Sequence, residues 1–175
     1  MFAKIGLTLL FAAVVYGANW AISTFGLIQV WPHPILMAPA GVLFAGAAFS
    51  LRDALHEAGG RWWVFAAIAL GGAVSYTTSS AFATASVVAF SVSELADFVV
   101  YSPLRKRNRI VGVLLSNTVG AAVDSAVFLW LAFGSLAFFW GQMVGKSLVT
   151  AASVVVLLLI VAGGKRYRYR LAGML

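Results

Sequence analysis

Six long apolar runs, separated by short polar breaks, constrain this chain more than any other feature. They fall at residues 3–22, 34–56, 61–78, 80–101, 110–133 and 137–162, and a helix that crosses a bilayer needs about 20 mostly apolar residues. Lipid offers the backbone no hydrogen-bond partners, so only helices and closed barrels span it. Runs that are apolar throughout, rather than alternating, select helices. The composition agrees: 62% of the 175 residues are hydrophobic and 10% are charged, where a soluble domain is about a quarter charged. A chain of this size buries only about 70% of its surface, so its exterior is too poor in charge to face water. The expected fold class is all-α, one transmembrane domain of six helices over residues 1–175, followed by a basic tail at 163–175.

The breaks have local causes. Ser23-Thr24-Phe25-Gly26 and Trp31-Pro32-His33-Pro34 separate the first two helices, because proline suits the first turn of a helix and not its interior. Gly59-Gly60, Ser102-Pro103, Gly134-Ser135 and Gly163-Gly164 end the second, fourth, fifth and sixth helices. Thr77-Thr78-Ser79-Ser80 is a weaker break, which makes a tight hairpin of the third and fourth. The first run resembles a signal peptide in length, but further spans follow it and no small-residue cleavage site precedes a soluble domain, so it reads as a retained helix.

The net charge is +7, from 12 Lys+Arg against 5 Asp+Glu. Six spans put Lys4, Arg52, Arg61, Arg105, Lys106, Arg107, Arg109, Lys165, Arg166, Arg168 and Arg170 on one side and no Lys or Arg in any loop on the other. That asymmetry predicts a multi-pass protein of the inner (cell) membrane with both termini in the cytoplasm. The tail Lys165-Arg166-Tyr167-Arg168-Tyr169-Arg170 reads as a headgroup anchor rather than a nucleic-acid patch. There is no cysteine, which excludes disulfides, thiolate catalysis and cysteine metal sites.

Polar residues inside the spans carry the functional signal. An ionisable group at mid-membrane costs about 2.5–3.5 kcal/mol on insertion scales. Glu94 and Asp97 share one face of the fourth helix, Asn117 and Asp124 one face of the fifth, and Gln142 and Lys146 one face of the sixth. Three such stripes are expected to converge on a common cavity. Counting 1.5 Å per residue, Asp124 and Lys146 each lie about 14 Å from the outer ends of their helices, so they are placed to pair. Glu94 and Asn117 lie deeper toward the cytoplasm, and Asp97 is expected at the boundary, facing Arg105 or its neighbours. Asn19 adds a polar group near the outer end of helix one, beside Trp20. The opposing interpretation makes Asp124–Lys146 a structural ion pair and Asn117 and Gln142 interhelical glue.

The second helix ends in Arg52-Asp53-Ala54-Leu55-His56-Glu57. Asp53, His56 and Glu57 have a metal-ligand spacing, but three ligands from one helix end seldom suffice. Arg52 and Asp53 are read instead as part of a cytoplasmic charge cluster that gates the cavity. Ala13, Gly17 and Ala18 allow close approach of another helix, read as ordinary intramolecular packing. No phosphate loop, His-Glu-x-x-His or Gly-x-Ser-x-Gly occurs, so neither an enzyme nor a cofactor is expected.

At these residues the chain resembles a known family. Ala83-Thr84-Ala85-Ser86, Ser93-Glu94-Leu95-Ala96-Asp97-Phe98-Val99-Val100-Tyr101 and Leu104-Arg105 carry the likeness in helix four. Ser116-Asn117-Thr118-Val119-Gly120-Ala121-Ala122-Val123-Asp124-Ser125 carries it in helix five. Leu51-Arg52-Asp53, Gly141-Gln142 and Lys146 complete it. Together they are similar to the queuosine-precursor transporter family, also called vitamin-uptake-transporter-like (VUT). The resemblance implies import of 7-deazaguanine bases, chiefly 7-cyano-7-deazaguanine and 7-aminomethyl-7-deazaguanine. It also implies a six-helix fold like the substrate-binding subunits of energy-coupling-factor transporters.

The chemistry of the stripes is compatible with that ligand. A guanine-like edge presents two N–H donors beside a carbonyl acceptor. Glu94 or Asp124 can accept from the donors, and Lys146, Asn117 or Gln142 can donate to the carbonyl. Phe90, Phe98, Phe128, Trp20 and Trp140 are candidate ring partners. The reading is a transporter with a mid-membrane pocket for a deazaguanine base. Its rivals are uptake of a vitamin or other small planar solute, and a non-transporting membrane scaffold. An ATPase coupling module or a second copy of the chain is a candidate partner; nucleic acid is not.

Overall fold

A computed structural model describes residues 2–32, 34–104 and 107–171, without the side chains of 109, 110, 113, 154 and 157–171. Six helices and one hairpin follow in order: α1 (Phe2–Phe25), β1 (Leu27–Trp31), β2 (Leu36–Pro39), α2 (Val42–Gly59), α3 (Arg61–Ser75), α4 (Ser80–Leu104), α5 (Arg109–Phe133) and α6 (Phe139–Leu171). The chain is thus an all-α membrane protein with one small β-hairpin. Among the described residues, α1, α4 and the Leu114–Phe133 part of α5 are long and apolar enough to cross a membrane. The helix α2 carries Arg52, Asp53 and Glu57 near its end, and α3 is short.

Glycines stop two of the helices. Gly26 (φ +63°) and Gly134 (φ +64°) adopt the left-handed conformation and return their N–H groups to Ile22 and Trp130, both at 2.9 Å, as a helix C-terminus requires.

The hairpin corrects the expectation that helix two begins at residue 34. A helix over 34–56 would hold Pro39 in its interior, where proline removes a hydrogen bond and clashes with the preceding turn. Instead Leu36–Pro39 pairs antiparallel with Leu27–Trp31, Leu27 opposite Pro39 and Ile28 opposite Ala38, with an irregularity between Gln29 and Trp31. The helix starts only at Val42. The sixth helix departs in the other direction, running through Gly163-Gly164 to Leu171. An interior glycine costs about 1 kcal/mol relative to alanine and is not in itself a stop. The anchoring role expected of Lys165 to Arg170 concerns side chains outside the described ones.

The packing follows from where small residues sit. α4 lies along α5, α1 packs on α2 and α3, and α2 packs on α6, while α5 and α6 meet only lightly. The core joins Phe11, Val15, Phe49, Leu55, Val64, Ile68 and Phe90, with the Phe90 ring 5.6 Å from Phe11 and 5.7 Å from Phe49. Two glycines let α6 close in. A Cβ on Gly46 would stand 2.8 Å from the Lys146 carbonyl oxygen, and one on Gly141 would overlap the Met37 carbonyl. Gly17 seats the Phe44 ring of α2 and the Ala18 backbone lies against Gly41, so these two small residues of α1 serve internal packing, whereas Ala13 is exposed. Leu9, Val99, Leu114, Trp130 and Trp140 point outward, more than half exposed, as lipid-facing side chains do.

Candidate functional site

Five helices contribute to one small chamber. α1 supplies Val15 and Ile22, α2 Val42 and Ala48, α4 Ser86 and Phe90, α5 Asp124 and Phe128, and α6 Gln142 and Lys146. Its polar lining is buried: Ser86, Asp124, Gln142 and Lys146 are each under a tenth exposed. The chamber measures about 40 Å³, inside an envelope of about 450 Å³ of atom-free space that reaches its mouth. A cavity that admits benzene is about 150 Å³, so the chamber as it stands has room for solvent and not for a bicyclic ring.

Within it, Lys146 Nζ donates to Asp124 Oδ2 at 2.5 Å and to Ser125 Oγ at 2.7 Å. The same ammonium lies 5.6 Å from the centre of the Phe49 ring. Gln142 Oε1 is buried and accepts no hydrogen bond from another protein group. Asn19 is fully buried behind Ser86; it accepts the Ser86 hydroxyl at 3.0 Å and donates to the Val15 carbonyl at 3.1 Å. Asn19 therefore orients Ser86 and does not itself line the chamber. Ser86 was not among the site residues expected from the sequence. It precedes Phe90 by four residues and Glu94 by eight, all on one helical face, but that spacing does not set it apart from the other serines of the helix.

A second cluster also borders Phe49. Arg52, expected in a cytoplasmic cluster, is only 3% exposed and acts as its hub. Its guanidinium reaches Glu94 at 3.0 Å, Asp53 at 3.1 Å and Asp97 at 3.4 Å, and donates to Asn117 Oδ1 at 3.4 Å. It also lies 5.5 Å from the Phe49 ring centre. Asn117 in turn donates to Asp53 Oδ2 at 3.4 Å. Three carboxylates around one guanidinium leave the cluster formally negative, and it opens onto a vestibule of about 470 Å³ that His56, Glu57 and Tyr101 also line.

The expectation of one common cavity is corrected by this division. Asp124, Gln142, Lys146, Phe90 and Phe128 meet in the chamber. Glu94, Asp97 and Asn117 belong to the Arg52 hub, so Glu94 is held by Arg52 and is not a chamber carboxylate. Asp97 lies 3.4 Å from Arg52; Arg105, its expected neighbour, lies outside the described residues. Phe98 joins neither group: it is 44% exposed and lies beneath Arg61, 4.4 Å from ring centre to guanidinium. Trp20 and Trp140 also face outward. Helical spacing identifies the inward face of each helix, but not which depth finds a partner on a helix elsewhere in the chain.

The two clusters are connected. Lys146 and Phe49 line a cleft of about 370 Å³ between α2, α5 and α6, and its far end is lined by Asp53 and Asn117, which also border the vestibule. The chain thus has a small, mainly apolar chamber with a few buried polar groups, and a more open charged vestibule around Arg52. Residues 64–162 match the family described as "Putative vitamin uptake transporter". The match spans more than half of the sequence, so the chain belongs to that family. It includes Glu94, Asp124, Gln142 and Lys146, whereas Asn19 and Arg52 precede it. No curated protein and no solved structure matches the chain.

Proposed function

We propose that this protein imports a 7-deazaguanine base, a queuosine precursor, through the chamber between α1, α2, α4, α5 and α6. The observation that carries the reading is the set of buried polar groups meeting there between two aromatic residues, with Gln142 Oε1 left unpaired. A flat base with two N–H donors and a carbonyl finds acceptors in Gln142, Asp124 and the Ser86 oxygen, whose own hydrogen goes to Asn19, a donor in Lys146, and ring partners in Phe90 and Phe128. Membership of an uptake family and the motifs shared with queuosine-precursor transporters support the choice of solute.

The basic residues at one end of the helices favour an inner-membrane orientation with both termini cytoplasmic. In that orientation the hairpin covers the outer end and the Arg52 vestibule opens inward. The solute enters beside the hairpin, rests in the chamber and leaves past Lys146 and Phe49. The test is uptake in cells that lack their own importer. Expression of the protein is expected to make queuosine in transfer RNA depend on supplied 7-cyano- or 7-aminomethyl-7-deazaguanine. An inserted, folded protein that gives no such gain overturns the reading.

The family description favours a second solute class, a vitamin. Thermal-shift competition between deazaguanines and vitamins separates the two.

A further inference from the structure

We infer that the chamber selects an uncharged ligand, and that Gln142 is the residue that reads it by accepting one of its N–H groups. This rests on the transport reading above and adds the charge of the solute to it.

The argument starts from the charges that reach the chamber. Lys146 and Asp124 are the charged residues among its lining, and they neutralise each other at 2.5 Å. Arg52, the other cation beside the Phe49 ring, is not among the chamber's lining residues and is already matched by Glu94, Asp53 and Asp97. The remaining wall is apolar, with Val15, Ile22 and Val42 among its residues. A ligand that brings a net charge must either remain uncompensated at this depth or break the Lys146–Asp124 pair. On insertion scales an uncompensated charge near mid-membrane corresponds to roughly a hundredfold in an equilibrium constant. An uncharged ligand meets no such penalty and finds one acceptor waiting: Gln142 is 4% exposed and its Oε1 has no partner.

Three ligands with one ring system test the charge rule: 7-cyano-7-deazaguanine is neutral, its 7-aminomethyl analogue is a cation at pH 7, and its 7-carboxy analogue is an anion. Equilibrium binding to the purified full chain is expected to favour the cyano compound by at least tenfold over both others. A smaller margin over either one overturns the inference. Charge variants probe the cause. Lys146→Gln leaves Asp124 unbalanced and is expected to shift preference toward the aminomethyl compound; Asp124→Asn is expected to shift it toward the carboxy compound. Should the single variants fail to fold, Asp124→Asn with Lys146→Gln, neutral again, is expected to prefer the cyano compound, and a preference for a charged one overturns the rule. Gln142→Leu is expected to weaken cyano-compound binding at least tenfold, and unchanged affinity removes Gln142 from the inference. If none of the three ligands binds, the deazaguanine reading fails, and the rule is then read with nicotinamide against nicotinate and thiamine. Binding of nicotinamide alone sustains it; binding of a charged member, or of none, overturns it.

Discussion

Lys146 of α6 holds its ammonium 2.5 Å from the carboxylate of Asp124 on α5, and both side chains are almost fully buried. Either charge alone would be costly at that depth. Together they fasten two helices that otherwise meet only lightly, and they divide the chamber from the cleft beside it. Removing one partner of such a pair costs about 3–5 kcal/mol, because the other is left buried and unmatched. Lys146→Met and Asp124→Asn are each expected to lower the unfolding temperature in detergent. The double variant is expected to lose less than the sum of the two. A double-mutant cycle measures this, and strictly additive losses would show that the residues do not interact.

Arg52 carries a heavier burden. Its planar guanidinium meets Glu94, Asp53 and Asp97 in three directions, a geometry that lysine cannot copy. Arg52→Leu leaves three carboxylates with no cation and is expected to abolish recovery of a monodisperse protein. Arg52→Lys keeps the charge and is expected to give an intermediate yield. Adding Glu94→Gln to Arg52→Leu is expected to recover part of the loss. Size-exclusion profiles of the solubilised variants are the readout, and a normal profile for Arg52→Leu would contradict the hub.

Much of this was legible in the chain itself. The six apolar runs mark the six helices, because lipid imposes length and composition so strongly. The pairing of Asp124 with Lys146 follows from equal depth on neighbouring helices. Three features were not legible for physical reasons. Leu36–Pro39 is too short and too apolar to be told from a helix start by pattern alone, although Pro39 already argued against a helix over it. Arg52 sits at the end of an apolar run, where sequence places it at the interface; only the fold brings α4 across it. Ser86 looks like any serine in a membrane helix until Asn19, 67 residues earlier, is found accepting its hydroxyl.

Gly141 tests how the hairpin is held. A methyl group there would run into the Met37 carbonyl of β2, and backbone cannot yield as a flexible side chain does. Gly141→Ala is expected to destabilise by about 1–3 kcal/mol, the usual cost of overpacking. Gly6→Ala is the control: a Cβ at Gly6 meets open space and alanine favours the helix by about 1 kcal/mol. Thermal unfolding of the two variants should move in opposite directions. Equal behaviour would mean that α6 and the hairpin are not packed as closely as described.

Gln142 offers a way to separate a binding group from glue. Its Oε1 is buried and accepts no hydrogen bond from another protein group, which leaves it available to a ligand N–H. Leucine has a similar volume and no polar group to satisfy. Gln142→Leu is therefore expected to raise the unfolding temperature of the ligand-free protein while reducing the further rise on adding 7-cyano-7-deazaguanine. Binding sites commonly trade stability for function in this way. If Gln142 were holding helices together, the same substitution would lower the ligand-free unfolding temperature and leave any ligand response intact. The two interpretations thus predict opposite signs in one melting experiment run with and without ligand.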